Sequence, residues 1–460
     1  MHTETETAAG QQRAGGRWIS HWEPEDPHFW QTRGRRVANR NLWASIFAEH
    51  LGFSVWSIWS VLVLFMTPEN GFTFSAEQKF LLVSAVTLVG AMLRLPYTLA
   101  VPRFGGRNWS IFAAAVLLVP TAVAMVLIQR PETPFWLFLL LAATAGLGGG
   151  NFASSMANIN FFFPERSKGW ALGLNAGGGN LGVPAVQLLG LAVIAAFGLG
   201  EARLLPIAYL PLIAVAVWIA WRHMDNLAGA RSDAAAQIAV CRDRHSWIMS
   251  FLYIGTFGSF IGYGFAFGLV LQNQFDRTPL EAAAVTFIGP LLGSLSRPVG
   301  GWLSDRFGGG RITLWTFAAM AAGTAVIIAA SVQASLPLFL AGFVALFLLS
   351  GIGNGSTYKM IPAIFAAKAE DRIAAGVPRG EATAEAKRLS GALIGIAGAV
   401  GALGGVAINL AFRESFASAG SAVPALVAFL AFYVVCIAVT YAVYLRRPVR
   451  AERPVTAAAA

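Results

Sequence analysis

Charge is what this sequence has least of. Only 12% of its 460 residues are Asp, Glu, Lys or Arg, about half of the ~25% of an ordinary soluble domain. The charges gather between apolar runs of about 20 residues, the length that crosses ~30 Å of hydrocarbon. That excludes a soluble enzyme of one to three domains and a protein held by a single anchor. Cysteine is nearly absent: Cys241 lies in a basic loop and Cys436 in a late apolar run, so neither a disulfide nor zinc-ligand spacing is expected. Nucleotide-binding, kinase and metal motifs are missing, which argues against an enzyme and against a cofactor. A cleaved leader is not expected either. Residues 1–41 are polar, contain Pro24 and Pro27, and end in Arg33, Arg35, Arg36 and Arg40, and the apolar run after them is too long for a signal peptide.

What the chain has in abundance is apolar sequence, 56% of its residues, with 49 glycines and 33 phenylalanines. Apolar runs fall at roughly 42–66, 80–101, 109–128, 135–158, 170–198 and 204–221, then at 247–272, 281–303, 312–331, 336–364, 389–412 and 423–445. They predict an all-α membrane protein of twelve transmembrane helices in two six-helix halves. The implied divisions are a tail over 1–41, a first half over 42–221, a linker over 222–246, a second half over 247–445 and a tail over 446–460. Segment 366–388 is a second long charged stretch, read like the linker as solvated.

Basic residues set the orientation. With the N-terminus inside, 25 Lys and Arg fall on the inner side and five on the outer. That bias places both termini in the cytoplasm, for a protein of the inner (plasma) membrane. It also accounts for the net charge of +10 without a nucleic-acid partner; the bilayer is the expected surrounding.

The halves repeat each other. Arg94 and Arg103-Phe104-Gly105-Gly106 return at one constant offset as Arg297 and Arg306-Phe307-Gly308-Gly309, and a proline follows each inner arginine, in Arg94-Leu95-Pro96 and Arg297-Pro298. Two parallel six-helix repeats are the architecture of the major facilitator transporters. Gly301-Trp302-Leu303-Ser304-Asp305-Arg306 resembles the short loop motif of that superfamily, in which an aspartate and basic residues latch neighbouring helices; in the first half Pro102 stands in place of the aspartate.

Three basic residues remain inside spans: Arg94, Arg297 and Lys359. A charge at mid-bilayer costs about 2.5–3.5 kcal/mol, so each needs a reason. Lys359 is close enough to the inner edge to snorkel. Arg94 and Arg297, related by the repeat, can clamp a flat anion through paired guanidinium donors, or can be structural arginines bonded to carbonyls at helix breaks. Glu49 and His50 form an acid-bearing pair in the first span. They can carry a proton, or form a hydrogen-bonded structural pair, or Glu49 can pair with a basic residue of an inner loop.

Two glycine-asparagine stretches complete the pattern, Gly148-Gly149-Gly150-Asn151-Phe152 and Gly173-Leu174-Asn175-Ala176-Gly177-Gly178-Gly179-Asn180. No strand precedes them and no Lys-Ser/Thr pair follows, so a phosphate loop is excluded. In a membrane, Asn175 and Asn180 offer neutral amide donors to a small ligand. Glycines such as Gly179 and Gly401 let helices approach and the halves rock.

These stretches, with Arg94-Leu95-Pro96-Tyr97 and Tyr253-Ile254-Gly255-Thr256-Phe257-Gly258, resemble the nitrate/nitrite porters of the major facilitator superfamily, the NarK group. The resemblance implies that Arg94 and Arg297 hold nitrate, with Asn180 and Tyr253 as neutral partners. It further implies apolar walls from Phe53, Phe152 and Phe257, and room for closure at Gly395 and Gly398. Ala176 departs from the glycine of relatives, and Glu49-His50 from the apolar first span of exchange-type members. The expected function is therefore nitrate transport, with nitrite as a second anion. Protons are the candidate coupling ion and nitrate/nitrite exchange is the alternative. A proton-coupled carrier of another solute is the more remote reading. A monomer is expected.

Overall fold

The computed structural model describes residues 17–230 and 234–446, so the tail residues 1–16 and 447–460 lie outside the described part. Twelve helices among the described residues are long and apolar enough to cross a membrane. They are α1 (Pro27–Phe65), α2 (Ala76–Phe104), α3 (Gly106–Leu127), α4 (Phe135–Phe162), α5 (Arg166–Phe197) and α6 (Leu199–His223), then α7 (Arg244–Phe275), α8 (Pro279–Phe307), α9 (Gly309–Val332), α10 (Leu336–Ala374), α11 (Arg379–Ala419) and α12 (Val423–Leu445). An even number of crossings leaves both ends of the described chain on one side, here the terminus face.

The repeat is built into the helix ends. Ser75 opens α2 with a capping box to Gln78, and Thr278 opens α8 with the same box to Glu281. Each pair satisfies two backbone donors that the first turn leaves free. At the other end Gly105 (φ +88°) and Gly308 (φ +91°) stop the two helices, in backbone geometry that a residue with a Cβ rarely adopts. Ser75 stands to Thr278, and Gly105 to Gly308, at the same offset that relates Arg94 to Arg297.

Several helices extend past their apolar runs. α1 begins at Pro27, well ahead of the expected start of the span at Leu42, with Asp26 capping the first turn. The stretch 366–388 is a helical hairpin, the end of α10 and the start of α11, held by ion pairs of Arg372 with Glu385 and Arg379 with Glu370. Polar helix outside the bilayer has no apolar run to announce it. In the linker, Ala234–Cys241 is also helical.

The latch of the second half is formed by Asp305 and Lys359, whose ammonium lies 2.8 Å from both carboxylate oxygens. Lys359 therefore pairs across α8 and α10 rather than only reaching for water. In the first half, where Pro102 cannot do this, Asp225 of the linker accepts from Arg40 and Asn41 of α1. A short parallel pairing of β1 (Trp18–Ile19) with β2 (Asn226–Leu227) fastens the same stretch.

On the face opposite the termini the halves are in contact. Phe80 of α2 stacks on Phe412 and Phe416 of α11 at 5.9 and 5.5 Å between ring centroids, and Gln187 of α5 donates to the Gly264 carbonyl of α7 at 2.9 Å. Within the second half, α7 and α11 approach so closely that a Cβ at Gly258 would lie 2.7 Å from the Gly404 Cα; only glycine permits that packing. Toward the terminus face the halves part, and Cβ atoms at Gly391 and Gly395 of α11 would meet nothing within 4 Å.

Candidate functional site

Arg94 lies where contact between the halves gives way to separation. It is 1% exposed. Its Nη1 donates to the Gly398 carbonyl of α11 at 2.9 Å, and a Cβ at Gly398 would stand 3.7 Å from the same nitrogen. Three rings surround its guanidinium carbon: Phe152 of α4 and Phe257 of α7, each at 4.8 Å, and Trp56 of α1 at 5.8 Å. Ring faces stabilise a cation within about 6 Å yet leave its N–H donors free. Nε and Nη2 are indeed buried with no hydrogen-bond partner among the described residues.

Arg297 sits in the other half. Its Nη2 donates to the Tyr253 hydroxyl at 3.2 Å, and its guanidinium carbon lies 5.4 Å from the Tyr358 ring. Nη1 is buried and unpartnered among the described residues. The two arginines are joined through rings: Tyr253 stacks on Phe257 at 5.2 Å and 11°, and Phe257 faces Arg94. Tyr253 and Phe257 fall at a single π turn, Ile254–Gly258, an insertion that recurs at functional positions in helices. Gly401 makes room for the tyrosine, since a Cβ there would lie 2.6 Å from Tyr253 Cδ1.

Buried donors without partners are rare and call for an explanation. Here three of them belong to two cations, one from each half, with aromatic rings against both. That chemistry suits a small planar anion, which accepts in-plane bonds and lies flat against rings.

The structure thus brings together Arg94, Arg297, Tyr253, Phe152, Phe257 and Gly398. Other expected residues lie elsewhere. Phe53 is one layer back, edge-on to Phe152 at 5.8 Å and to Trp56 at 5.5 Å, so it supports the wall rather than forming it. Gly395 is about one turn toward the terminus face. The Asn180 Oδ1 is buried and unpartnered, and no contact joins it to either arginine among the described residues. Asn175 is turned away from the arginines: its Nδ2 donates to Glu49 Oε2 at 2.7 Å and to Ser155 Oγ at 2.8 Å. Glu49 and His50 do not meet as a pair, for His50 Nδ1 bonds the Gly178 carbonyl at 3.1 Å. Consecutive residues on a helix point about 100° apart, so each side chain finds its own partner on α5.

The family follows from comparison with known proteins. The Major Facilitator Superfamily model matches residues 42–408. Over 445 residues the chain is 39% identical to the nitrate/nitrite transporter NarU of Escherichia coli (strain K12), covering 93% of this chain and 96% of that one. This chain belongs to the NarK family of the major facilitator superfamily. A second member of the NarK family, the probable nitrate/nitrite antiporter NarK2 of Thermus thermophilus, is 35% identical over 377 residues, covering 76% of this chain and 84% of its own length. Among solved structures, a D-xylose–proton symporter superposes with TM-score 0.62 at 16% identity, covering 88% of this chain and 96% of the other. The human organic anion transporter MFSD10 gives 0.60 at 14%, covering 89% and 100%. Both share the fold. For a NarK-family chain, two residues of the arginine cage escape a sequence reading: Trp56 and Tyr358, aromatic residues in a chain where aromatics are everywhere.

Proposed function

We propose that this protein carries nitrate, with nitrite as a second substrate, across the inner (plasma) membrane, and that the loaded site lies between Arg94 and Arg297. The termini face is the cytoplasmic one, the two six-helix halves are the moving bodies, and a monomer in the bilayer is sufficient because both arginines belong to one chain. The observation that carries the reading is the set of unpartnered, buried N–H groups on Arg94 and Arg297, caged by rings from both halves. The relatives named as nitrate/nitrite transporters and antiporters support the identity of the anion.

Closure of the face opposite the termini, with separation toward the terminus face, is one state of an alternating-access cycle. Rocking about the midplane exchanges the Phe80–Phe412–Phe416 seam for a seam on the other side. Arg94 must then release the Gly398 carbonyl or carry it along.

Coupling to protons is the mode this chain favours. Nitrate import against an inside-negative potential is uphill by about 2.3 kcal/mol per 100 mV. Two protons per nitrate reverse the sign, whereas exchange with nitrite moves no net charge. Glu49 is 0% exposed and within reach of the fields of both arginines, which makes it the first candidate to carry the proton. His50, bonded to a backbone carbonyl, is the second candidate. Antiport is the alternative, and the naming of the Thermus relative favours it. Reconstituted vesicles decide: symport gives nitrate accumulation driven by a proton gradient with no internal nitrite, and antiport gives uptake only when internal nitrite or nitrate is present.

A further inference from the structure

Glu49 and Tyr253 hold the same place in the two halves. The offset that carries Glu49 to Tyr253 also carries Trp43, Phe47 and Phe53 to Trp247, Phe251 and Phe257. Each packs on a glycine of the fifth helix of its half, α5 or α11. A Cβ at Gly179 would lie 2.6 Å from the Glu49 carboxyl carbon, and a Cβ at Gly401 would lie 2.6 Å from Tyr253 Cδ1. The step from Gly179 to Gly401 equals the step from Gly182, which meets α1 at Phe53 and Ser54, to Gly404, which meets α7 at Ile254 and Gly258. The carboxyl of Glu49 therefore lies in the layer that holds the anion site, on the opposite side of the pseudo-twofold axis from the Tyr253 ring.

The two positions differ in what holds them. Tyr253 receives a bond from Arg297. Glu49 is held by Asn175, whose counterpart by the same step is Ala397, so this bond exists in one half only. Both hydrogens of the Asn175 amide are committed, one to Glu49 Oε2 at 2.7 Å and one to Ser155 Oγ at 2.8 Å. Oε2 is thereby fixed as an acceptor whatever the charge of the group, because an amide N–H can only donate. Glu49 Oε1, against Gly179, is buried and has no partner among the described residues. A carboxylic acid carries its proton on one oxygen, and Oε1 is the one with no bond to a neighbouring residue.

We propose that Asn175 is a positioning residue for the proton: it holds Glu49 so that Oε1, cradled on Gly179, takes up and releases the proton that travels with the anion. This rests on the proton-coupled reading above. The groups facing the carboxyl are Asn175 and Gly179 of α5, Ser155 of α4, and through their fields Arg94 of α2 and Arg297 of α8; His50 is turned to Gly178. Ionised, Glu49 offsets one of the two arginine charges and weakens their hold on an anion. Protonated, it leaves both arginines unopposed. Proton and anion binding therefore reinforce each other, by the same factor in either direction.

The test uses full-length protein in vesicles with an internal pH dye, reading nitrate-driven proton movement across a range of pH. Nitrate counterflow in the same vesicles measures how much folded carrier is present. Removing the amide donor takes away a bond that favours the ionised carboxylate. Asn175→Ala should therefore move the pH midpoint of proton-coupled uptake to the alkaline side by about tenfold in proton concentration. Asn175→Asp, which sets a second carboxyl against the first, should move it further. If Asn175→Ala does not reach the membrane, Gly179→Ala puts a methyl in the space of Oε1 and must shift the midpoint or abolish proton movement. An unaltered midpoint in these variants, with Glu49→Gln abolishing proton movement, overturns the role of Asn175 and leaves proton coupling standing. Wild-type vesicles that exchange nitrate for nitrite but move no proton overturn both.

Discussion

Arg94 donates to the Gly398 carbonyl across the boundary between the halves at 2.9 Å, whereas Arg297 is bonded to Tyr253 within its own half. The repeat supplies two arginines, yet they are not equivalent in this state. One fastens the halves together at the midplane, and the other waits in place with a neutral hydroxyl beside it. An anion that attracts the remaining N–H groups of both has a direct grip on the relative position of the halves.

Tyr253 is the neutral member of the proposed site, and its loss should be modest. Tyr253→Phe keeps the stack on Phe257 and removes one hydroxyl worth about 0.5–1.5 kcal/mol, or about 1.5–3 kcal/mol when its partner is charged. Nitrate KM in vesicles should rise about 2–150-fold with the amount of folded protein unchanged. An unaltered KM removes the hydroxyl from the site.

Gly401 is a cradle as well as a packing residue. A methyl at this position presses on Tyr253, since its Cβ would stand 2.6 Å from Cδ1. Gly401→Ala should raise KM by displacing the ring. In the double variant with Tyr253→Phe the two effects should fall short of additive, because both act on the same side chain. Full additivity would mean that Gly401 acts on gating alone.

The Asp305–Lys359 latch is solvent-exposed, so its pair energy is small, about 0.2–1 kcal/mol. Asp305→Lys and Lys359→Asp should each lower the melting temperature in detergent slightly, and the double exchange should recover most of the loss. Failure of the exchange to recover any stability would show that the pair holds nothing.

Asp243 gives the structure a pH dependence outside the membrane. It caps α7 by accepting from His245 N at 2.9 Å and from Lys368 of α10. Burial alone would raise its carboxyl, but the Lys368 ammonium and the backbone amide outweigh that and hold it below the ordinary range. A depressed carboxylate contributes stability above the unfolded value of about 3.9, and the contribution is lost as pH falls through the folded value. Melting temperature in detergent should drop on acidification below about pH 4, and Asp243→Asn should flatten that drop.

Much of this is readable from residue types, for reasons that can be named. Charges inside apolar runs are costly, so Arg94 and Arg297 stand out, and the constant offset between the halves ties them together. Orientation of an uncharged amide is not written in composition. Asn175 and Asn180 look alike in sequence, yet Asn175 serves Glu49. Glycine likewise announces close packing but not what is packed: Gly179 faces a carboxyl and Gly401 a tyrosine. The helical start of α1 at Pro27 carries only the local cap signal of Asp26-Pro27, because polar helix beyond the bilayer has no apolar run. Trp56 is hidden by abundance.

The central claim is that Arg94 and Arg297 together hold the transported nitrate, and labelled nitrate uptake into vesicles tests it most directly. Wild type should show saturable uptake. Arg94→Lys and Arg297→Lys keep the charge but lose the planar paired donors, so each should lower kcat/KM about a hundredfold, the equivalent of ~2.7 kcal/mol. Uptake by both variants at the wild-type rate, in vesicles holding equal amounts of folded protein, would contradict the account.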